Sequence, residues 1–540
     1  MATGNIILAG LAGSGKSSVG RQLALACGLA FLDLDRETER LAGTSIRSLA
    51  AQDRWVEFRA LETRALKALA GREGLVLALG GGTLLAPENR AAALALGTLV
   101  CLDAPDPELA RRLEGSSKVR PLLAGASGAE LLARVGELRA EREPGLGSCQ
   151  HRLDTAGLTA RQVALTLAHR LDLEVLELDL AAGNAPRHPA QPTQSHLVLR
   201  RGAAGDGALW ATHLGRASSA LVLTDETVAA LHWQTLTAAL TAAGLRHKLV
   251  ILPPGEAAKH LGSVQQVLTE AAAFGLQRDG LVIGFGGGVV CDLAGLCAAL
   301  YMRGVGLLQV PTTLLAMVDA AHGGKAAVDF AGHKNLLGQF WFPGAVLVDP
   351  AFLATLPPRE LRSGLGEVCK AAVLGDADLW ALLETQGESL LEDPALLDQV
   401  IRGAIRVKLG VVASDPLETG RRALLNFGHT IGHALEAATL AFGEEGLTHG
   451  EAVGIGMVLE AKLAAHRGLC DEELPRRLAA TLKALGLPAT PPKLDPEAVL
   501  AHLFLDKKNA GGRLRMVLPR AAGDLLTGVE VGQEEVEAVL

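Results

Sequence analysis

The sequence predicts an α/β chain in three parts joined by one linker. A P-loop domain with a parallel sheet and flanking helices covers 1–180, a linker covers 181–196, an α/β domain covers 197–350 and a mainly α-helical domain covers 351–540. Three observations predict it. A short apolar strand runs into Gly10-Leu-Ala-Gly-Ser-Gly15-Lys16-Ser17 and then into a helix-forming stretch. A second apolar strand, Leu281 to Gly284, feeds the turn Gly286-Gly287-Gly288. Beyond Pro357-Pro358 the pattern turns helical and brings His429, His433 and His449 close together in sequence.

Composition bounds the function classes. At ~150 residues per domain, 540 residues hold three or four domains. Hydrophobic residues make up 49% and aromatics only 3%, so Leu, Val and Ala must fill the cores. The formal net charge is −8 and no domain is basic, which gives nucleic acid no footprint. No apolar run is long enough to span a bilayer. MATGNIILAG lacks a basic segment before its apolar run and reads as a first strand, not a signal peptide. The seven cysteines form no CxxC pair, which suits scattered thiols in a reducing cytoplasm.

Asn5 to Ala9 reads as a buried strand and Ser18 to Cys27 as a helix, the context that a GxxxxGK[ST] loop requires. Gly13, Ser14, Gly15, Lys16, Ser17 and Ser18 form the expected ATP-binding set. Backbone N–H groups close on phosphate oxygens, Lys16 brings a cation to the β/γ-phosphates and Ser17 offers a hydroxyl to Mg²⁺. Phe31 to Asp35 reads as a second strand with Asp33 and Asp35 on one face. A third strand, Leu75 to Leu79, precedes Gly80-Gly81-Gly82, and Lys118-Val-Arg120-Pro resembles a lid bearing an arginine. The residues alone describe a small-molecule P-loop kinase with a polar, anionic acceptor.

Over roughly residues 1–175 these features resemble shikimate kinase. The resemblance implies that Asp35, Arg59, Gly81 and Arg142 hold shikimate, with Asp35 and Lys16 catalytic. Ser17 and Asp33 serve Mg²⁺, and Arg120 closes over ATP. One departure stands out: the family's RxPLY is replaced by Arg142-Glu-Pro144-Gly145.

Ala181 to His196 is rich in Pro, Gln and Asn without apolar period, as linkers are. Beyond it, Leu221 to Asp225 and Lys248 to Leu252 read as strands, the second leading to Pro254-Gly255-Glu256 and Lys259. The glycine turn after Leu281–Gly284 lets a pyrophosphate approach backbone amides, although Val289 and Val290 break any GxGxxG spacing. Gly364-Leu-Gly-Glu367-Val-Cys-Lys370 places a carboxylate and an ammonium one helical turn apart. His429 and His433, at i and i+4, leave one helix face, and with His449, Arg421, Arg422 and Asn426 they suggest a divalent metal beside an anion pocket. Thr430 occupies the glutamate position of HExxH, which excludes a protease of that type.

LLNFGHTIGHALE, LTHGEAVGIGM, GGGVVCDLAG and Val310-Pro311-Thr312-Thr313 resemble 3-dehydroquinate synthase over about 197–540. The resemblance implies NAD at Asp225, Glu256, Lys259, Gly286, Gly287, Gly288, Asp292, Thr312, Thr313, Lys334, Phe352 and Thr355. It implies Zn²⁺ or Co²⁺ on Glu367, His429 and His449. Heptulosonate phosphate falls to Arg303, Asp319, Lys325, Asn335, Lys408, Arg422, Asn426, His433 and Lys508, with Lys370, Lys408, Glu418 and His433 catalytic. The family acts as a homodimer, in which Arg303 would reach the neighbouring site. NAD⁺ oxidises a ring hydroxyl, phosphate is eliminated, hydride returns, and an aldol step closes the carbocycle. Two departures are His322, in Ala320-Ala321-His322, and His333 in place of a glycine. The implied whole is a shikimate kinase fused to a 3-dehydroquinate synthase. The rivals are an NAD- and metal-dependent polyol dehydrogenase behind a nucleotide-binding regulatory module.

Overall fold

The computed structural model describes residues 4–114, 126–180, 191–504 and 513–540. Arg120, Lys507, Lys508 and linker residues 181–190 lie outside the described residues. The chain forms two compact units. One comprises Met1–Glu177, Asp206–Gly215 and Ala242–Gly244, and the other Leu178–Gly205, Arg216–Thr241 and Leu245–Leu540.

The first unit is built on strands β1 (Asn5–Ala9), β2 (Ala30–Asp33), β3 (Leu75–Ala78), β4 (Gly97–Asp103) and β5 (His151–Asp154), in the order β2-β3-β1-β4-β5. All pairs are parallel. Continuous apolar runs suit strands covered on both faces. On one face, Ile6, Leu8, Val76 and Val100 pack with Val19 and Leu23 of helix Lys16–Cys27 and with Val163 and Leu167 of helix Ala160–Arg170. The second strand is shorter than the sequence suggested. It stops at Asp33, which caps helix Leu34–Ala42 by accepting from the Asp35 N–H at 3.2 Å. Asp35 is therefore in the first turn of a helix and not on a strand face beside Asp33. The local hydrogen bond of an aspartate at a helix start outweighs the strand's apolar run.

The second unit holds β6 (Glu177–Asp179), β7 (Gln194–Leu199), β8 (Ser219–Asp225), β9 (Arg246–Leu252), β10 (Leu281–Gly286), β11 (Gly306–Pro311) and β14 (Ala345–Val348). Their order is β6-β7-β14-β11-β10-β8-β9. From β7 to β9 the pairs are parallel. Gln194 to His196, assigned to the linker by composition, start β7, which lies between β6 and β14 and pairs with β14 from His196 onward. A hairpin of β12 (Lys325–Phe330) and β13 (His333–Phe340) leaves the sheet.

Beyond Pro358 come helices Pro358–Gly375, Ala377–Gln386, Pro394–Ser414, His429–Thr439, His449–His466, Glu473–Ala484 and Pro496–Phe504. The mainly helical run that the sequence suggested also holds a second hairpin, β15 (Arg513–Ala521) and β16 (Asp524–Gly532). Its Leu514, Met516 and Leu518 pack against Ile431, Leu435, Ile455 and Leu459. That two-residue alternation is a strand signal. No helix among the described residues is long and apolar enough to cross a membrane.

Candidate active sites

In the first unit, Gly13 and Gly15 take φ of +87° and +93°, conformations that a side chain makes costly, and so bend the loop ahead of helix Lys16–Cys27. Lys16 Nζ lies across the loop, donating to Gly10 O at 2.8 Å and Leu11 O at 3.0 Å. Ser17 Oγ donates to Asp33 Oδ2 at 2.7 Å. Ser14 Oγ is buried without a hydrogen-bond partner among the described residues, as suits a phosphate-facing hydroxyl.

Asp35, Arg59 and Arg142 converge on Gly80-Gly81-Gly82. A Cβ on Gly80 would stand 2.7 Å from Asp35 Oδ1, one on Gly81 2.8 Å from Arg142 Nη1, and one on Gly82 2.5 Å from Arg59 Nη2. Asp35, Arg59, Gly81 and Arg142 are thus brought together as the sequence suggested. Arg142 is buried, its Nε has no partner among the described residues, and burial weighs against its charge. The departure after Arg142 leaves helix Gly128–Leu146 running through Pro144, with Gly145 pressed against Leu84 O. Glu62 was not foreseen. It is buried, lies 2.7 Å from Arg59 Nη1, and stands one helical turn from it, which was the available signal.

In the second unit a cavity of about 970 Å³ opens at the carboxyl ends of β8 and β10 and runs to the histidine helices. The chain passes from β8 outward to β9 and from β10 in the opposite direction to β11. This is the switch point where open parallel sheets bind ligands. Asp225, Glu256, Lys259, Gly287, Gly288, Asp292, Thr312, Thr313, Lys334, Phe352 and Thr355 line the wall. Gly286 is buried at the end of β10, one residue behind it. Lys259 Nζ reaches Asp292 Oδ2 at 2.7 Å and Asn335 Oδ1 at 2.6 Å. Burial lifts Asp292 to about 6, with Lys259 partly offsetting it. His232, also unforeseen, packs at a tilt against Phe352, ring centroids 4.7 Å apart, and meets Thr355 Oγ1 at 2.8 Å.

At the far end, His429 opens one helix, His433 follows a turn later, and His449 opens the next helix. Their ligand atoms lie within 4.8 Å of one another. Glu367 Oε1 is 3.5 Å from His429 Nε2 and 3.6 Å from His449 Nε2, and has no hydrogen-bond partner among the described residues. Two ligands of a tetrahedral ion with bonds of ~2.1 Å stand roughly 3.4 Å apart, so the gaps fit an ion held between them. Lys370 pairs with the other oxygen. Burial opposes the Glu367 charge, yet Lys370 and His429 hold the carboxyl at about 2. Both members of this Glu/Lys pair are buried, unlike an ordinary surface pair. Glu436, missed although it shares the His429–His433 face, stands 3.5 Å from His449 Nδ1 and 3.0 Å from Lys334 Nζ.

Between the two ends lie the cations. Lys408 Nζ is 2.5 Å from Asp319 Oδ1, and Lys370 Nζ is 3.8 Å from the same atom. Burial lowers the Lys408 ammonium, with Asp319 opposing. Arg422, 1% exposed, donates to Gly323 O at 2.6 Å and to Pro416 O. Lys325 and Asn426 line the cavity and are held from behind by Glu418, at 2.5 and 3.2 Å. Arg303 is exposed beyond helix Gly288–Leu300, away from the cavity wall. His322 is buried and its Nε2–H donates to Met317 O, 2.6 Å away, across the π-helical turn Ala316–Ala320 that carries Asp319; burial drops it to about 4. His333 is exposed in the hairpin.

Each residue of the Glu367, His429, His449 set is next to a glycine pressed against a neighbouring helix. A Cβ on Gly366 would lie 2.3 Å from Gly450 O, one on Gly450 1.7 Å from Ser363 O, and one on Gly428 2.7 Å from Val453 O.

The family profile described as shikimate kinase matches residues 12–172, 3-dehydroquinate synthase N-terminal matches 249–363, and 3-dehydroquinate synthase C-terminal matches 364–509. The 3-dehydroquinate synthase of Caulobacter vibrioides is 43% identical over 333 residues, 61% of this chain and 90% of the relative. That of Xanthomonas oryzae pv. oryzae is 46% identical over 333 residues, with the same shares. Among solved structures, 2-epi-5-epi-valiolone synthase from Streptomyces hygroscopicus, with NAD⁺ and Zn²⁺ bound, matches with TM-score 0.59 and 36% identity over 66% of this chain and 97% of its own. A 2-deoxy-scyllo-inosose synthase complexed with carbaglucose-6-phosphate, NAD⁺ and Co²⁺ matches with TM-score 0.59 and 25% identity over 67% and 98%. The chain belongs to the 3-dehydroquinate synthase family, with a shikimate kinase domain ahead of the synthase.

Proposed function

We propose that the chain is a bifunctional enzyme, which phosphorylates shikimate with ATP and converts 3-deoxy-D-arabino-heptulosonate 7-phosphate into 3-dehydroquinate and phosphate. The carrying observation is the single cavity that joins the β10 glycine turn to the histidine cluster, in a chain that covers 90% of its synthase relative. The polyol dehydrogenase and regulatory-module readings are not favoured.

In the kinase unit, Lys16 stabilises charge on the transferring phosphoryl group, and Ser17 and Asp33 hold Mg²⁺. Arg59 and Arg142 offer guanidinium forks to the shikimate carboxylate. Asp35 receives or orients the proton of the attacking hydroxyl.

In the synthase unit, the residues fit NAD and a Zn²⁺ or Co²⁺ ion on Glu367, His429 and His449. When bound, NAD takes and returns a hydride and the ion polarises the hydroxyl being oxidised. Lys370, Lys408 and Arg422 face the substrate's carboxylate and phosphate. Their charges act in a buried setting where water screens them little. His433, at the cavity wall one helical turn beyond His429, accepts a proton at a ring nitrogen. Glu418 fixes Lys325 and Asn426 at the wall. We also place the enzyme in the cytoplasm, consistent with seven unbridged cysteines, as a homodimer through the synthase unit.

Purified chain should release phosphate from heptulosonate phosphate with catalytic NAD and no build-up of NADH, and should transfer phosphate from ATP to shikimate. NADH accumulating in step with turnover would favour a dehydrogenase instead.

A further inference from the structure

Glu460 sits in helix His449–His466, eleven residues beyond His449, and has 0% exposure. It makes no ion pair among the described residues. Its carboxylate meets the start of the adjacent helix. Oε2 accepts the Gly428 N–H at 2.6 Å and Oε1 the Ile431 N–H at 3.3 Å. N–H groups in a first helical turn lack intrahelical partners, and a capping side chain normally serves them. Helix His429–Thr439 is preceded by Gly428, which has no side chain to do so. A fully buried acid is costly unless such donors satisfy it.

We propose that Glu460 is a positioning residue for the metal, fixing His429 relative to His449 by capping the helix of the first from the helix of the second. This rests on the metal reading above. The two capped N–H groups flank His429, so loss of the cap loosens the turn from which that imidazole projects. Glycine contact leaves the two helices little slack: a Cβ on Gly456 would lie 2.0 Å from Gly428 O. The carboxylate therefore joins two ligands, one along its own helix and the other through two hydrogen bonds. Outer partners of metal ligands typically govern affinity by 10–100-fold.

The test is Co²⁺ titration of metal-stripped full-length protein against a chromophoric chelator, together with the visible spectrum of the Co²⁺ form. Glu460→Leu should weaken Co²⁺ binding about tenfold or more and alter the spectrum. Glu460→Gln, which keeps one acceptor oxygen, should weaken it by about threefold or more but less than the leucine variant. Leu459→Ala, which disturbs the core packing of the same helix without touching the cap, should stay within about twofold of wild type. Glu460→Leu binding Co²⁺ within twofold of wild type, with an unchanged spectrum, would overturn the proposal. Should that variant not fold, the same result from Glu460→Gln overturns it. Wild-type protein that fails to bind Co²⁺ would instead remove the metal reading, and this proposal with it.

Discussion

Glu62 grips Arg59 from behind: one carboxylate oxygen lies 2.7 Å from Arg59 Nη1, and the other takes the Thr83 hydroxyl at 2.5 Å. The pair aims the guanidinium past Gly82. Glu62→Ala should raise the shikimate KM about tenfold with a smaller fall in kcat, since it leaves the fork present but loose. Arg59→Ala should do at least as much, and the double variant little more than Arg59→Ala alone, because the two act as one unit. Coupled kinase assays across shikimate concentrations check this, and fully additive losses would count against it.

Lys16→Ala should cut phosphoryl transfer by about a hundredfold or more through loss of transition-state stabilisation. Synthase turnover, measured in the same preparation as released phosphate, should not change.

Chelation should abolish synthase activity and added Zn²⁺ or Co²⁺ restore it. His449→Ala should lose bound metal while the kinase keeps its rate. Full metal content in that variant, measured by elemental analysis, would remove His449 from the ligand set.

His322 gives a pH dependence with a definite sign. Its folded pKa of about 4 lies below the ordinary 6.5, chiefly through burial. Above pH 6.5 neither state is protonated and its full stabilisation is present. As pH falls toward 4, the unfolded chain takes a proton that the folded chain refuses, and stability is lost. His322→Gln keeps a donor for Met317 O and removes this titration. Between pH 7 and pH 5 the variant should lose about 2 kcal/mol less than wild type in urea unfolding. Equal losses would mean that His322 titrates freely.

Strand β6 decides where the synthase can be cut free. Leu178 and Leu180 are each 1% exposed and pack with Phe342, Val412 and Leu425, and the Leu180 N–H donates to Thr193 O at 3.0 Å. A synthase fragment starting at Glu174 should be more stable than one starting at Gln191 by roughly 3–5 kcal/mol, the worth of two buried leucines. Indistinguishable melting temperatures would contradict this.

Much of both sites was legible because the chemistry is local in sequence. The phosphate loop, the i, i+4 histidines and the glycine turn each announce themselves within a few residues. What escaped depends on distance. Nothing near Glu460 points to Gly428, thirty-two residues back. Asp35 was placed on a strand because apolar Phe31 and Leu32 mask the cap that Asp33 makes. Hairpin β15–β16 alternates Leu514, Met516 and Leu518 as a strand should, but the helical stretches before it hid the change of period. The polar linker likewise drew the boundary past β6, whose sheet partner lies on the linker's far side.

The glycines beside Glu367, His429 and His449 bear on how quickly the synthase takes up its ion. Backbone meets backbone at Gly366, Gly428 and Gly450, so helix collisions set the ligand spacing that the Glu460 cap then holds. An arriving ion finds its coordination sphere assembled and needs only to shed water. Uptake should then run at the rate of ligand exchange on the hydrated ion, with no slow phase from folding. A bulkier residue at any of the three glycines would wedge the helices apart and turn loading into a conformational search, slower before it is weaker.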